Sequence, residues 1–332
     1  MKSTTKFKIS NENLHAVFKF AGIDGVTEFK EISDGWYNSV FSAMDKNGKK
    51  YVIKIAPPKD IKVLSYEKNL MAQELEFYKL LNQHTTVKTA KILFSDFSGA
   101  VIPTPYYIMN FLDGVRLDKE KLTKAEKENA NRQTAFMLTE FHKVKGEGYG
   151  YNQTGLYDNW KDALTQMTKM LIADAESFNK KCKAGKKLLD YIQKFKDVLS
   201  DIPCVFVNFD LHAKNLFCKK LTDGSLELSV LDLERGFFGD PIGDFVTPEA
   251  LKPLTKKIIF KNYNRYVKIT ADKNVKIRFW LLVAYLSLIM NIERFSRFKG
   301  AGKHFSLVYV MGTLGSKILE RKAFAALKKL SK

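Results

Sequence analysis

The 332 residues are enough for two associated lobes and too few for three ordinary domains. Hydrophobic residues make up 45% of the chain and charged residues 27%, which excludes a disordered or fibrous protein. The formal net charge of +19 comes from lysines spread along the whole chain. We therefore expect a solvated basic surface and no specific nucleic-acid partner.

Cysteine usage and hydropathy indicate the compartment. The three cysteines are odd in number and lack the paired spacing of a zinc or redox site. Residues 1–20 contain no uninterrupted apolar run of the signal-peptide type. The most apolar stretch, residues 279–290, is shorter than the roughly 20 residues that span a bilayer, so we expect a buried helix and no membrane partner. These features favour a cytoplasmic protein. We expect it to be a monomer or a homodimer.

The first third of the chain alternates between apolar and polar residues. Alternating runs in residues 26–56 are interrupted by the turn signals Asp34-Gly35 and Asn47-Gly48, which predicts an antiparallel sheet. Residues 63–81 repeat apolar side chains every three or four positions, which predicts an amphipathic helix. The apolar residues 106–112 then form a strand that ends at Asp113-Gly114.

The remainder of the chain has mainly helical periodicity. Helices are predicted in residues 124–144, 157–178 and 185–200 and again beyond residue 247, while strand-like segments return only in residues 204–233. The predicted fold class is therefore α+β and bilobed. It has a β-rich N-lobe, residues 1–110, and a mainly helical C-lobe, residues 111–332.

A compact polar cluster interrupts the strand-like segments of the C-lobe. Asp210 and Asn215 lie five residues apart in "VFVNFDLHAKNL", and Asp232 follows the next apolar run. Phosphoryl transfer needs a carboxylate to orient an attacking hydroxyl, together with oxygen ligands for Mg²⁺. The spacing is that of the catalytic loop and metal-binding Asp of protein kinases. We assign catalysis to Asp210 and Mg²⁺ binding to Asn215 and Asp232.

The N-lobe contains the complementary signals. Lys54 in "YVIKIA" matches the strand lysine of kinases, and Glu74 follows it by twenty residues on the predicted helix. Glu67, two turns earlier, is the competing partner for Lys54. The loop "SDGWYNSVF" offers Gly35, Ser39 and backbone N–H groups to nucleotide phosphates. It lacks the three-glycine pattern of protein kinases.

The combined motifs resemble those of the aminoglycoside phosphotransferase and choline kinase superfamily, most closely its phosphotransferase enzyme family. The resemblance runs from about residue 26 to about residue 250 and rests on three motifs as they stand here: Gly35, Asn38, Val40 and Phe41; Asp210, Leu211, His212 and Asn215; and Asp232, Glu234, Gly239, Asp240, Pro241 and Asp244. It implies a protein-kinase-like fold with nucleotide bound by the N-lobe and the acceptor bound by the C-lobe.

The resemblance also implies a reaction. We expect a kinase that uses ATP or GTP with Mg²⁺ and transfers the γ-phosphoryl group to a hydroxyl of a small molecule. Lys54 is expected to hold the α- and β-phosphates and Glu74 to orient Lys54. The adenine is expected to bond to the connector formed by Met109, Asn110, Phe111 and Leu112, because a hinge strand offers unpaired edge groups.

The sequence departs from the family pattern directly before Asp210. Asn208-Phe209 stands where the family usually has His-Gly. Because that histidine mainly makes structural hydrogen bonds in this fold, Asn208 can replace it. We expect His212 and Asp244 to brace the catalytic loop and His142 to pack as a structural residue.

The acceptor is the least determined part of the prediction. An aminoglycoside or related antibiotic is the best-matching named class, although polycations require acidic partners. Substrate contacts are expected from Asp158, Trp160, Asp162 and Glu234, with Asp174 and Glu176 as further acidic candidates. A core-facing position on the same amphipathic helix would suit Trp160 equally well. A metabolic alcohol such as choline, a sugar or an amino-acid alcohol is the alternative. A nucleic-acid-binding pseudokinase is disfavoured because all four of Lys54, Asp210, Asn215 and Asp232 are present.

Overall fold

The structure is a computed structural model that describes residues 5–32, 35, 37–297 and 307–332, with the backbone alone for residues 307–311. Its helices are α1 (Asn11–Phe20), α2 (Leu70–His84), α3 (Lys124–Phe141), α4 (Trp160–Ser177), α5 (Lys183–Lys194), α6 (Ile258–Tyr263), α7 (Lys273–Arg297) and α8 (Leu307–Leu330). Its strands are β1 (Val26–Glu31), β2 (Ser39–Asp45), β3 (Lys50–Ile55), β4 (Ile92–Asp96), β5 (Tyr106–Asn110), β6 (Val115–Arg116), β7 (Val205–Val207), β8 (Leu216–Lys220), β9 (Leu226–Val230) and β10 (Phe237–Gly239).

The N-lobe contains the predicted antiparallel sheet, with strand order β1-β2-β3-β5-β4. Gly48 has a φ of +79° in the turn that joins β2 to β3, a conformation that glycine adopts without a steric cost. Ile53 and Ile55 pack into a small core with α1, so the alternation of side chains along β3 places Lys54 on the opposite face. Helix α1 and strand β4 were not predicted.

The helix predicted over residues 63–81 begins later, at Leu70. Residues Ser65–Glu67 form a short 3₁₀ turn, in which the Glu67 carboxylate accepts the backbone N–H of Leu64 at 2.9 Å. Asn69 then adopts a φ of +56°, which interrupts a continuous helix. Periodicity alone therefore extended the predicted helix over a turn that a local side-chain hydrogen bond stabilises.

The C-lobe is mainly helical, and its core extends beneath α2 of the N-lobe. Helix α7 contains the apolar stretch that the sequence marked, within a helix of 25 residues. Its most apolar window has a mean hydropathy of 1.6 and is long enough to cross a membrane, but 72% of that window is buried inside the protein. The helix is therefore the central core helix of this lobe, as expected.

Two small sheets position the polar segments of the C-lobe. Strand β7 pairs with β10, and β8 pairs with both β6 and β9. The backbone N–H of Leu231 also donates to the carbonyl of Asn215 at 2.9 Å. These pairings bring residues 208–215 and residues 231–236 side by side. The two predicted acidic motifs thus lie at one end of the same pair of ladders, facing the N-lobe sheet.

Candidate active site

Lys54 is the centre of an ion cluster between the lobes. Its ammonium lies 3.0 and 2.9 Å from the two carboxylate oxygens of Glu74 on α2. The lysine and the glutamate are both buried. The predicted pairing with Glu74 is therefore present. The competitor, Glu67, lies in the turn before α2 and pairs with Arg297 at 2.9 Å.

Two carboxylates from the C-lobe complete this cluster. Asp232 Oδ1 and Glu234 Oε2 each lie 3.1 Å from Lys54 Nζ, and the amide of Asn38 donates to Glu234 at 2.8 Å. Burial would lower the pKa of Lys54, but the charges of Asp232, Glu234 and Glu74 raise it well above its ordinary value. Burial and the neighbouring Asp232 raise the pKa of Glu234 to about 7. Lys54 is therefore a permanent cation shared by three acids.

The backbone is left-handed at Asp232 and at the residue directly before Asp210. Asp232 has a φ of +64° and Phe209, directly before Asp210, a φ of +60°. Such angles cost of order 1–3 kcal/mol in a non-glycine residue and persist where surrounding contacts enforce them. The Phe209 ring is fully buried, with its centroid 5.2 Å from that of Phe237. This packing explains how a bulky side chain occupies the position where the family usually has glycine.

The catalytic loop is held by hydrogen bonds to its backbone. The N–H of Asp210 donates to Asn208 Oδ1 at 3.0 Å, and the N–H of Phe209 donates to Asp244 Oδ1 at 2.9 Å. Asn215 Nδ2 donates to the carbonyl of Asp210 at 3.0 Å. Asn208 therefore makes the structural hydrogen bond that the sequence suggested for it, and Asp244 braces the loop as expected.

The predicted structural histidine is confirmed. The ring nitrogens of His142 lie 2.8 Å from the hydroxyl of Tyr263 and 3.0 Å from Asp244 Oδ2. Since Asp244 also accepts the backbone N–H of Phe209, His142 supports the catalytic loop through it. His212 lies closer to the chemistry, because its Nε2 is 3.7 Å from Asp210 Oδ1.

The oxygen groups of Asn215 and Asp232 suit Mg²⁺. The side-chain nitrogen of Asn215, Nδ2, donates to the carbonyl of Asp210, which leaves the side-chain oxygen Oδ1 as a ligand. The Asp232 carboxylate is 39% exposed and can present an oxygen outward while it contacts Lys54. No cluster of three or more His, Cys, Asp or Glu ligands occurs among the described residues. Two protein ligands fit Mg²⁺, which keeps several waters and is usually bound together with substrate phosphates.

A cavity of about 420 Å³ opens on the other side of Asp210. It is bounded by the catalytic loop, by α7 and by α8. Its lining combines polar residues with an apolar wall, of which Leu286, Met290, Leu319 and Ala250 form most. The lining residues with ionisable or hydroxyl groups are Asp210, His212, Arg235, Thr247, Glu293, Arg294, Arg297 and Thr313. This volume is that of a small-molecule pocket.

A buried ion network lines one side of this cavity. Glu293 accepts both guanidinium hydrogen bonds of Arg235, at 2.8 and 2.9 Å, and lies 3.1 Å from Arg297. The hydroxyl of Tyr66 also donates to Glu293. Arg235 Nε lies 3.8 Å from Asp210 Oδ2. Desolvation raises the pKa of Asp210, and the charges of Arg235 and His212 oppose the rise.

Sequence reasoning missed this network. Arg235 directly follows the motif that contains Asp232 and Glu234, so its position in the sequence was a usable signal. Glu293, Arg294 and Arg297 lie on α7 with the three- and four-residue spacing of one helix face. Nothing in that spacing connects them to a loop more than eighty residues earlier.

The predicted acceptor contacts lie elsewhere, and the prediction for Trp160 is wrong. Trp160 is only 1% exposed, its ring stacks on Phe237 at 5.6 Å, and a Cβ at Gly239 would lie 2.4 Å from the indole. Asp162 pairs with Lys161 and accepts a hydrogen bond from the side-chain amide of Asn159, the residue that caps α4, and Asp158 is exposed. None of the three lines the cavity beside Asp210.

The other acidic candidates are also displaced from the cavity. Asp174 accepts the N–H and the hydroxyl of Ser65 at 2.9 and 2.7 Å, and Glu176 is exposed on α4. Glu234 contacts Lys54 and Asn38, so it belongs with the nucleotide-side acids and not with the acceptor contacts predicted for it. The acids that were expected to bind a polycation are therefore engaged in other contacts or exposed, and none of them lines the cavity.

The loop expected to hold phosphates is only partly as predicted. Ser39 is buried and its hydroxyl donates to the carbonyl of Phe7 at 2.8 Å, which occupies the group that was expected to contact phosphate. Gly35 is exposed, and no described atom lies within 4 Å of the position of a Cβ there. Asp34, the first residue of the predicted turn, lies outside the described residues.

The connector between the lobes has mixed hydrogen bonding. Met109 pairs with Val52 in the sheet, the N–H of Asn110 donates to Lys91, and the N–H of Phe111 donates to Lys50 at 3.3 Å. Within the part of the chain that the structure describes, the backbone N–H of Leu112 donates to no backbone carbonyl. Of the four predicted connector residues, Leu112 is thus the one with a main-chain donor available for a nucleobase.

Comparisons with known proteins agree with this geometry. A model of the phosphotransferase enzyme family matches residues 28–247. A probable acyl-CoA dehydrogenase of Arabidopsis thaliana, IBR3, is 26% identical over 196 residues, which are 54% of this chain and 23% of that protein. The chain thus corresponds to about a quarter of that relative's length.

Solved structures share the fold at low identity. A ternary complex of streptomycin, ATP and the phosphotransferase APH(2'')-IIa matches with a TM-score of 0.58 and 17% identity, over 97% of each chain. A candidate fructosamine-3-kinase from Thermobifida fusca matches with a TM-score of 0.61 and 14% identity, over 91% of this chain and 94% of that one. The α+β, kinase-like architecture is therefore shared with proteins named for different acceptors.

Proposed function

The chain belongs to the phosphotransferase enzyme family, and we propose that it transfers the γ-phosphoryl group of ATP or GTP to a hydroxyl of a small molecule. One observation carries the proposal. The ammonium of Lys54 is shared by Glu74 and Asp232, while Asn215 is bonded to the backbone of Asp210. Phosphoryl transfer requires this combination of phosphate-binding cation, oxygen ligands and positioned base. The odd number of cysteines without paired spacing favours a cytoplasmic location.

The nucleotide-side residues act mainly by holding charge. Lys54 binds the phosphates, and Glu74 fixes the direction of its ammonium. Asn215 and Asp232 would hold Mg²⁺, which supplies neutralisation of the charge on the phosphate oxygens. Phosphates that approach Lys54 compete with Asp232 and Glu234 for its hydrogens. The backbone N–H of Leu112 is available to the nucleobase.

Asp210 acts on the acceptor. Its carboxylate orients the attacking hydroxyl and accepts the proton as the bond to phosphorus forms. The raised pKa of Asp210 favours this step, because a base works best when its pKa is near the operating pH. The left-handed Phe209 and the bonds to Asn208 and Asp244 keep the carboxylate in place before substrate arrives.

The acceptor class follows from the surroundings of Asp210. An aminoglycoside needs several carboxylates, because its ammonium groups are costly to desolvate unless they are paired. The acids proposed for that purpose, Asp158 and Asp162, do not line the cavity. A metabolic alcohol is therefore the acceptor that we propose in place of an antibiotic. A pseudokinase is disfavoured because Lys54, Asp210, Asn215 and Asp232 are all present.

A nucleotide-binding experiment tests the proposal. Mg-ATP or Mg-GTP is expected to raise the melting temperature of the parent protein, corresponding to about 2.7 kcal/mol at a hundredfold excess over Kd. Asp232→Ala should lose the Mg²⁺-dependent part of this stabilisation. The matched control is Asp190→Ala, which removes an exposed aspartate on α5. Equal Mg²⁺-dependent stabilisation of parent and Asp232→Ala would exclude Asp232 as a ligand.

A further inference from the structure

The charges around the cavity beside Asp210 distinguish between possible acceptors. Three guanidinium groups line it, those of Arg235, Arg294 and Arg297, against the two carboxylates of Asp210 and Glu293. Glu293 is already shared by Arg235 and Arg297 and accepts a hydroxyl hydrogen bond. An ammonium group on a ligand would have to displace a guanidinium to reach Glu293. The cavity therefore has no spare carboxylate for a cationic acceptor beyond the catalytic base.

Arg294 differs from the other two arginines. Its Nη1 donates to the hydroxyl of Thr313 at 3.1 Å, and its guanidinium lies over the ring of Phe295 at 4.8 Å. In the described part of the chain, no carboxylate forms an ion pair with Arg294, and its buried Nε has no hydrogen-bond partner. The sequence of residues 298–311 contains no Asp or Glu. A guanidinium has five N–H donors, so Arg294 retains donors that face the cavity.

We infer that the acceptor alcohol carries an anionic group, a carboxylate or a phosphate, which pairs with Arg294 while its hydroxyl reaches Asp210. This inference rests on the proposed kinase function. Because Arg294 and Asp210 line the same cavity, one small molecule can contact both. The planar guanidinium matches carboxylate and phosphate oxygens in a bidentate arrangement. The wall formed by Leu286, Met290 and Leu319 accommodates the carbon skeleton between the two polar ends.

Four probes that share a three-carbon diol skeleton test the inference: glycerol, glycerate, glycerol 3-phosphate and 3-amino-1,2-propanediol. Their binding is measured by titration calorimetry, first with the protein alone and then with Mg²⁺ and a non-hydrolysable ATP analogue. The analogue fills the nucleotide phosphate site, so an anionic probe cannot be bound there instead. The stronger of the glycerate and glycerol 3-phosphate signals identifies which anion the site prefers.

Variants of Arg294 identify the contact. The anionic probes should bind the parent about 10- to 100-fold more tightly than glycerol, the range expected for one charged hydrogen-bonded pair. Arg294→Gln should remove this preference and Arg294→Lys should restore part of it. Arg321→Gln, which changes an exposed arginine on α8, should leave it intact.

Three outcomes would overturn the inference: glycerol or the amino diol binding as tightly as the anions, binding of no probe at all, or a preference for anions that survives in Arg294→Gln. Failure of the kinase function would appear differently. The anion preference would then be present in the protein alone, while the nucleotide analogue would fail to bind.

Discussion

The nucleotide side and the acceptor side of the site have opposite charge arrangements. On the nucleotide side, one ammonium, that of Lys54, is shared by three carboxylates: Glu74, Asp232 and Glu234. On the acceptor side, two arginines converge on the single carboxylate of Glu293. The first arrangement suits a phosphate-bound metal ion, because its acids are oxygen ligands. Beside the two arginines of the acceptor side, the guanidinium of Arg294 has no carboxylate partner in the described part of the chain, which suits an acceptor of negative charge.

The two sides also differ in which segments of the chain form them. The nucleotide side consists of short motifs, in which the sequence spacing places the acids next to Lys54. The acceptor side combines Arg235 from one loop with residues of α7 and α8 that are distant in the sequence.

Trp160 packs in the core and not on the acceptor side, so its substitution should change stability and not substrate binding. Trp160→Ala should lower the free energy of unfolding by about 3–5 kcal/mol, because it deletes a buried indole that stacks on Phe237. The Michaelis constants for nucleotide and acceptor should remain those of the parent at temperatures where the variant is folded. Denaturant unfolding and steady-state kinetics measure the two quantities.

Trp160→Phe is the control for this substitution, since it retains an aromatic ring and should cost less stability. A raised Michaelis constant for the acceptor with little loss of stability would return Trp160 to the acceptor site.

The dependence of stability on pH tests whether the neighbouring carboxylates on the nucleotide side raise the pKa of Glu234. The pKa of Glu234 is raised to about 7, so between about pH 4.5 and that value the folded state binds more protons than the unfolded state. Stability should therefore decrease as pH rises through this window. Glu234→Gln should lose that decrease, which is on the order of 1–3 kcal/mol.

Chemical unfolding at a series of pH values measures this difference, with Glu176→Gln as a control on an exposed glutamate. If the stability of Glu234→Gln and that of the parent changed with pH in parallel, the pKa of Glu234 would not be raised in the folded protein.

The sequence predicted the α+β fold with its N-terminal sheet and the pairing of Lys54 with Glu74, because those features depend on local periodicity and on spacing within motifs. In the structure, the alternation along β3 places Lys54 on the face opposite Ile53 and Ile55. The start of α2 was not predictable, since it depends on a side-chain bond of Glu67 and on the left-handed Asn69. The ion network of Glu293 depends on which helix faces the catalytic loop. Only tertiary packing determines that contact.

The sequence left two environments open for Trp160, the acceptor site and the core, and the structure places it in the core. An amphipathic helix presents an aromatic residue to the core or to a ligand with the same spacing. The deciding contact is with Gly239, which lies nearly eighty residues later and leaves room for the indole.

The proposed kinase activity is tested by transfer of a labelled γ-phosphoryl group from ATP or GTP to a small hydroxyl compound. Acceptors of negative, neutral and positive charge are supplied in parallel, and products are separated by chromatography. The parent should label an acceptor, and Asp210→Asn should do so about 10²–10⁴-fold more slowly with nucleotide binding unchanged. Asp190→Asn should match the parent. Equal transfer by Asp210→Asn, or no labelled acceptor of any charge, would contradict the account.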